Sequence, residues 1–572
     1  MTKISILDGY IDEPTCLGVP PYISPYPRYI AGAIWNYDKN IRIYYTTIDE
    51  IRSNKKQLQT LNQSDIIITI AGMTVPGKYL AGYPAHPNEL TKILKPLKNT
   101  KKILCGPAAR HGFGIQGGKK TQDTKKTLKD YDYIITGDPE IVITNLLKNK
   151  KNFSKTDPAS KRKKATDIKK HATTGANIVT QHPYYPDYLI TEIETYRGCP
   201  RSITGGCSFC SEPSKGPPDF RPTKDIIEEI QQLYKNGIRN IRLGNQPCIF
   251  SYMSKNADKK EYPEPNPEAI EKLFKNIKKI APKLKTFHID NANPKILALY
   301  PKKSEKIAKT IIKYHTPGDV AALGVESTDP EVIKQNNLKA DTKEITKAIQ
   351  ILNKVGSKKG YNGMPELLPG LNFVYGLKGE TKKTYQHNYD FLKQLLEKKL
   401  LVRRINIRQV IPIPNTKMHQ TGLKIITKNK KYFKQFKRKI KTEIEQPMLK
   451  KLIPKNTILT DVYLEIHKGK TTFARQLGSY PILIGIPGKQ KLNRYINVKV
   501  IEHGYRSITA LPYPIDINHE NKDTIQAIPG IGKKRANRII LNRPFKTKKQ
   551  LIECLDEKEI AKKIIEYVTI KN

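Results

Sequence analysis

The strand-like run Tyr188-Leu189-Ile190-Thr191-Glu192-Ile193-Glu194-Thr195 opens onto Tyr196-Arg197-Gly198-Cys199-Pro200-Arg201-Ser202-Ile203-Thr204-Gly205-Gly206-Cys207-Ser208-Phe209-Cys210, a loop that holds three of the chain's seven cysteines. A loop rich in Gly and Pro at a strand end is a common place to mount a reactive site. Three thiolates on such a loop can hold three irons of a [4Fe–4S] cluster and leave the fourth iron for a small molecule. The competing reading is a zinc knot, or cysteines packed singly as small apolar residues. Zinc takes four ligands, often as C-x2-C pairs. Here only Cys207 and Cys210 form such a pair, and no His sits beside them.

Strand–helix units recur from this loop to about residue 420. A helix is predicted over 225–234, and strands over 240–243, 285–290, 320–326, 371–376 and 405–412. Such alternation argues for an α/β fold with parallel strands. Polar groups follow the strands, at Gly244-Asn245-Gln246, Asp290, Glu326 and Gly376, where the loops of a barrel carry chemistry. His288, Asp290 and Arg408 can face the interior or pair within the core. Cys248 reads as a buried thiol.

The strand–loop–cysteine arrangement, with Phe209 just before the last cysteine, resembles the radical S-adenosylmethionine (radical SAM) superfamily. The usual spacing there is three residues and then two, whereas this chain has seven and then two. The resemblance implies a partial (β/α)6 barrel and a cluster on Cys199, Cys207 and Cys210. It also implies S-adenosylmethionine on the unique iron, cleaved reductively to methionine and a 5′-deoxyadenosyl radical. Phe209 belongs with the cofactor-binding positions. Gly244, Asn245 and Gln246 stand where the family has a Gly-Gly-Glu-like turn for the methionine amine, with amides in place of the acid. Glu326 resembles the fourth-strand acid near the ribose. Gly376-Leu377-Lys378-Gly379-Glu380 resembles the fifth-strand segment beside the adenine, and Pro412-Ile413-Pro414-Asn415-Thr416 the sixth-strand loop. The substrate-activating catalytic residue stays unassigned.

Residues 1–150 alternate strands, at 4–7, 41–45, 66–70, 102–105 and 133–136, with helical patterns. This reads as a Rossmann-like domain with ligand-facing turns at Ala71-Gly72, Cys105-Gly106-Pro107 and Gly137-Asp138-Pro139-Glu140. It resembles the cobalamin-binding type, without the Asp-x-His-x-x-Gly motif, so cobalamin would bind without a His ligand. Substrate recognition is the alternative role. A rival resemblance is to the methylthiotransferase N-terminal domain. Cys16 and Cys105 suit it, but no third cysteine joins them.

The stretch 151–187, with Lys161-Arg162-Lys163-Lys164, reads as a basic linker, and 421–454 as a helical one. Short strands over 455–518 resemble a TRAM-type β-barrel, an RNA-binding module. In 519–572, Ile528-Pro529-Gly530-Ile531-Gly532-Lys533-Lys534-Arg535 resembles a helix-hairpin-helix. Gly530 and Gly532 permit a tight turn whose N–H groups meet a phosphate, helped by Lys533, Lys534 and Arg535. The assembly resembles an archaeal group of radical SAM enzymes with a C-terminal hairpin.

With 102 Lys+Arg against 53 Asp+Glu, the net charge of +49 favours a polyanion partner. The expected function is radical modification of nucleic acid, RNA more than DNA, with an electron donor as second partner. The alternatives are a protein or small-molecule substrate, or a non-catalytic Fe–S nucleic-acid-binding protein. No run of some eighteen apolar residues and no signal-peptide pattern occur, so a cytoplasmic protein without a membrane partner is expected.

Overall fold

The structure is a computed structural model that describes residues 2–13, 16–54, 56–72, 80, 82–114, 116–121 and 129–570. Residues 73–79 and 122–128 of the first domain lie outside the described residues. That domain is a five-stranded parallel sheet in the order Arg42–Thr47, Lys3–Asp8, Ile66–Ile70, Lys101–Cys105, Tyr133–Ile134. Its central strand, Ile66-Ile67-Ile68-Thr69-Ile70, is buried at every position. A parallel strand covered on both faces needs such an unbroken apolar run. The order is second–first–third–fourth–fifth, so a ligand crevice falls between the first and third strands. The chain itself lies across it. Gly9 N–H donates to Ile70 O (2.8 Å), and a Cβ on Gly72 would stand 2.7 Å from Ile11. Gly72 therefore marks a close chain–chain contact.

The second domain is a partial barrel built from two four-stranded sheets. Tyr22–Ile23, Ile190–Glu194, Asn240–Gly244 and Thr286–Ile289 form one; Asn291–Ala292, Asp319–Glu326, Leu367–Tyr375 and Arg404–Gln409 form the other. Asp290 joins them, and every pairing within the two sheets is parallel. Helices with one apolar stripe cover the outside. Thr223–Lys235 buries Ile226, Ile230 and Leu233. Pro267–Ile280 starts with Pro267 at its first turn and Asn266 capping Ala269 N–H. The first and sixth barrel strands do not pair. Tyr22–Ile23, from the first domain, pairs with the first strand and lies at this seam.

Where a basic linker is expected, 151–187 forms ordered structure. Ala165–Ile168, Lys169–Thr174 and Gly175–Gln181 are short helices that bury Ile168, Ala172, Ile178 and Val179. Their apolar residues are too sparse to show a period, and burial comes from packing against Pro25–Tyr37. The helical stretch after the barrel holds Lys424–Ile440 and Gln446–Leu452.

Next comes a closed barrel of Ile458–Lys468, Thr471–Gln476, Leu483–Pro487, Ser507–Pro512 and Tyr495–His503. Thr471–Gln476 was not predicted. The small barrel docks under the amino ends of the large barrel's strands. Tyr463 stacks on Tyr188 with centroids 4.1 Å apart, Tyr495 Oη donates to Asp187 O (2.6 Å) and Ser479 N–H to His288 Nδ1 (2.8 Å). The C-terminal hairpins, Lys522–Gln526 with Lys533–Leu541 and Lys548–Glu553 with Lys558–Ile565, close through the strand pair Ile515–Asp516 and Val568–Thr569. Among the described residues no helix is long and apolar enough to cross a membrane.

Candidate active site

Local sequence shapes the cysteine loop. Pro200–Thr204, inside the long spacer between the first two cysteines, forms a 3-10 turn. Gly205 and Gly206 follow at φ 78° and 64°, left-handed values that glycine adopts freely. The turn buries Arg201 to 2% exposure, where Nη1 donates to Cys207 Sγ (2.9 Å) and Nη2 to Asn337 O (2.7 Å), while Nε pairs with Glu261 (2.8 Å). The extra residues thus set a guanidinium against the second cysteine. Ser208 N–H donates to Asn336 O (3.1 Å), and Met418 N–H to Ser208 O (3.0 Å), fixing the loop to the fourth- and sixth-strand connections.

Cys199, Cys207 and Cys210 all line one cavity of about 200 Å3 at the carboxyl ends of the barrel strands. All three are free thiols. Among the described residues no three His, Cys, Asp or Glu side chains converge on one metal ion. A cluster spreads its irons, so its ligands need not meet at a point. Burial pushes the Cys199 thiol up to about 12, and raises Cys210 as well; bound iron offsets that cost by taking the thiolate. Arg201 and Lys339 supply positive charge beside the sulfurs. Burial works against the Lys339 ammonium, but Glu326, Cys207 and Cys210 hold it above the usual lysine range. Three thiols and two cations lining the same cavity fit a [4Fe–4S] cluster.

The other expected positions divide. Phe209 and Glu326 line the cavity. Glu326 lies 3.4 Å from Lys339 Nζ, and burial raises its carboxyl against the pull of that lysine. Gly244, Asn245, Gln246 and Gly376 are not among the lining residues; Pro247 takes the second-strand place. Gln246 is spent internally, accepting from Thr195 Oγ1 (3.2 Å) and donating to Leu243 O (3.1 Å). Asn245 donates to Glu194 (2.8 Å), which also receives Arg162 (2.6 Å) from the basic stretch. Beyond Gly376, Glu380 accepts from Gly376 N–H (2.5 Å) and Tyr385 Oη (2.6 Å), so this acid holds its own turn.

His288 accepts from Ser479 and is buried in the core. Asp290 lines the cavity and receives Arg242 (3.2 Å) and Tyr480 Oη (2.9 Å). Cys248 is buried, its sulfur accepting from Asn293 N–H (3.2 Å). Cys16 and Cys105 are buried at 1% and 0% exposure.

Several lining residues escape sequence reasoning. Asp12 and Glu13 arrive from the first domain, Tyr480 from the small barrel, and Asn372 and Asn406 from neighbouring strands. The polar Asn372 and Asn406 inside apolar strands were a readable signal; Asn406 Nδ2 donates to Asn372 Oδ1 (3.1 Å). The approach of Asp12, Glu13 and Tyr480 left none.

In the hairpin, Gly530 sits at φ 88° and Gly532 caps Lys533–Leu541, with open space where a Cβ would stand. Arg535 turns inward to Asp556 (2.7 Å), Glu557 (2.5 Å) and Gly530 O (2.9 Å). It holds the two hairpins together, while Lys533 and Lys534 stay exposed.

Comparison with known proteins agrees with this architecture. Residues 193–392 match the Radical SAM superfamily, and residues 496–542 the SAM-like Helix-hairpin-helix tandem. An uncharacterized protein of Methanocaldococcus jannaschii is 47% identical over 508 residues, covering 88% of this chain and 92% of its own. One of Archaeoglobus fulgidus is 40% identical over 557 residues, covering 97% and 98%. The cobalamin-dependent S-adenosylmethionine radical enzyme OxsB aligns at 12% identity and a TM-score of 0.42, over 76% of this chain and 56% of that one. The chain belongs to the radical SAM superfamily.

Proposed function

We propose that this protein cleaves S-adenosylmethionine reductively at a [4Fe–4S] cluster held by Cys199, Cys207 and Cys210, and uses the resulting radical to modify RNA. The observation that carries the reading is the set of three thiols lining one cavity at the barrel's carboxyl end. When bound, such a cluster supplies the electron that splits S-adenosylmethionine into methionine and a 5′-deoxyadenosyl radical. The chain's own groups position and shield. Glu326 faces the cavity as an acceptor for ribose hydroxyls, and Phe209 screens one side from water. The turn Gly244–Gln246 sets Pro247 on the cavity lining, and Glu380 holds the turn at Gly376 behind it. Lys533, Lys534 and the N–H groups after Gly530 and Gly532 hold RNA by its phosphates. The charge of +49 supports a polyanion substrate. A reduced electron-transfer protein completes the set of partners.

The test is S-adenosylmethionine cleavage under strong reductant, with the triple Cys199→Ala/Cys207→Ala/Cys210→Ala chain as blank, followed by mass spectrometry of RNA nucleosides from cells with and without the gene. Methionine and 5′-deoxyadenosine above the blank, with one nucleoside missing from the deletion, are expected. Cleavage at the level of the blank refutes the enzyme. Cleavage with an unchanged nucleoside profile moves the substrate to protein, DNA or a small molecule.

A further inference from the structure

A second cavity, of about 320 Å3, lies along the seam where the large barrel fails to close. Its walls are the sixth strand Arg404–Gln409, the segment around Tyr22, the helix Gln446–Leu452 and the small barrel. It shares Asp12, Leu17, Arg408 and Tyr480 with the cysteine-lined cavity, so the two are neighbours across those four side chains.

Five arginines line it: Arg403, Arg404, Arg408, Arg475 and Arg506. Arg475 is paired with Glu465 and Arg506 with Glu445. The other three form no ion pair among the described residues. Arg403 donates Nη2 to Tyr480 O (3.0 Å), and its Nε is buried without a partner. Arg404 lies over the Tyr480 ring at 4.1 Å. The Nε of Arg408 is also buried and unpartnered. Burial and the charge of Arg404 push the Arg403 guanidinium down to about 9, and burial pushes Arg404 down to about 10. Asp12, Asp290 and Glu326 attract Arg404 or Arg408 without forming an ion pair with them, and cations partly withdrawn from water without a contacting anion are costly. Elsewhere in this barrel the fold supplies carboxylates, as Glu192 and Asp290 do for Arg242.

We propose that this seam cavity binds a phosphate ester through Arg403, Arg404 and Arg408, and that the molecule bearing it reaches the cysteine-lined cavity past Asp12 and Tyr480. Guanidiniums suit phosphate because their planar forks donate two parallel hydrogen bonds. Met448, Leu449 and Ile482 give the cavity an apolar wall for the organic part of the ester. The destination of the ligand rests on the reading of the neighbouring cavity as the radical site; phosphate binding itself does not.

The full chain is titrated without cluster or S-adenosylmethionine, so failure here leaves the cysteine assignment untouched. Ribose 5-phosphate is one probe. A single-stranded oligoribonucleotide is the other, used in a Lys533→Ala/Lys534→Ala background to remove the hairpin's contribution. Calorimetry and the thermal midpoint are the readouts. At least one probe is expected to bind and raise the midpoint, and Arg404→Met or Arg408→Met to weaken it about tenfold or more, with Arg404→Lys intermediate. Without ligand, the Met variants are expected to melt higher than the parent, because an unpaired charge has gone. Loss of affinity for ribose 5-phosphate alone assigns a small phosphate ester, and loss for the oligonucleotide assigns a nucleotide within a strand. Binding of both probes that survives Arg404→Met and Arg408→Met, or no binding of either probe, overturns the proposal.

Discussion

Arginines on opposite sides of the same barrel live in opposite electrostatic settings. On the second strand, Arg242 is clasped by Glu192 (2.7 Å) and Asp290 (3.2 Å), and nearby Arg28 and Arg221 share Glu229 (2.8 and 2.7 Å). On and beside the sixth strand, Arg403, Arg404 and Arg408 meet an aromatic ring, a carbonyl and a cavity. The first group is scaffold, each guanidinium touching a carboxylate of the chain. The second makes no ion pair among the described residues and lines open volume, with Asp12 acting on it only at a distance, an arrangement that suits an anion. Burial alone does not separate structural from functional arginines; pairing does.

The largest effect should come from breaking the paired side. Arg242→Met leaves Glu192 and Asp290 as neighbouring buried carboxylates, and about 3–5 kcal/mol of stability should be lost in denaturant unfolding. A loss below about 1 kcal/mol would show that the pairing is dispensable and collapse the contrast. The opposite sign is expected across the barrel: Arg404→Met should stabilise by about 1 kcal/mol, and a destabilised variant would make that arginine scaffold too.

Asp12 sharpens the comparison by pH. Burial raises its carboxyl to about 7, against the attraction of Arg408, Arg404 and Arg242. A folded pKa above the unfolded value means that the folded state binds the extra proton. Its stabilising share is therefore present at low pH and lost as pH rises from about 4 through 7. Asp12→Asn should remove this part of the slope, so that the variant gains on the parent at pH 8 by on the order of 1–3 kcal/mol. Parallel pH–stability curves for parent and variant would exclude Asp12 as the titrating group.

The smallest effect concerns cations that face water. Lys533→Ala and Lys534→Ala should each lower the salt slope of RNA binding by about one, with no change in thermal midpoint. Arg535→Ala should instead loosen the hairpin pair, since its partners are Asp556 and Glu557. A salt slope indifferent to both lysines would remove the hairpin from RNA binding.

Much of this was legible in the chain. The five strands of the first domain and the six of the large barrel fall within a few residues of their predicted places, because Ile- and Val-rich runs bounded by Gly and Pro carry a local signal. The C-terminal hairpin was equally readable from its two glycines. Tyr22–Ile23 was not, since two residues are too few for a period. Gly244-Asn245-Gln246 was placed at the right strand end, yet the Gln246 amide is consumed by Thr195 and Leu243. Side-chain direction at a turn depends on neighbours that the sequence lists far away.

By itself the sequence determined what is local: the cysteine loop and its long spacer, the α/β alternation, the hairpin glycines and the excess of positive charge. Tertiary structure alone decided which cations are answered and which are not. Asp12 comes from the first domain, Tyr480 from the small barrel and Arg408 from the sixth strand, and they meet only because both flanking domains close on the barrel's open seam. The physical reason is range. Strand and turn preferences act over a few neighbouring residues, whereas ion pairing and burial act between groups brought together from hundreds of residues apart.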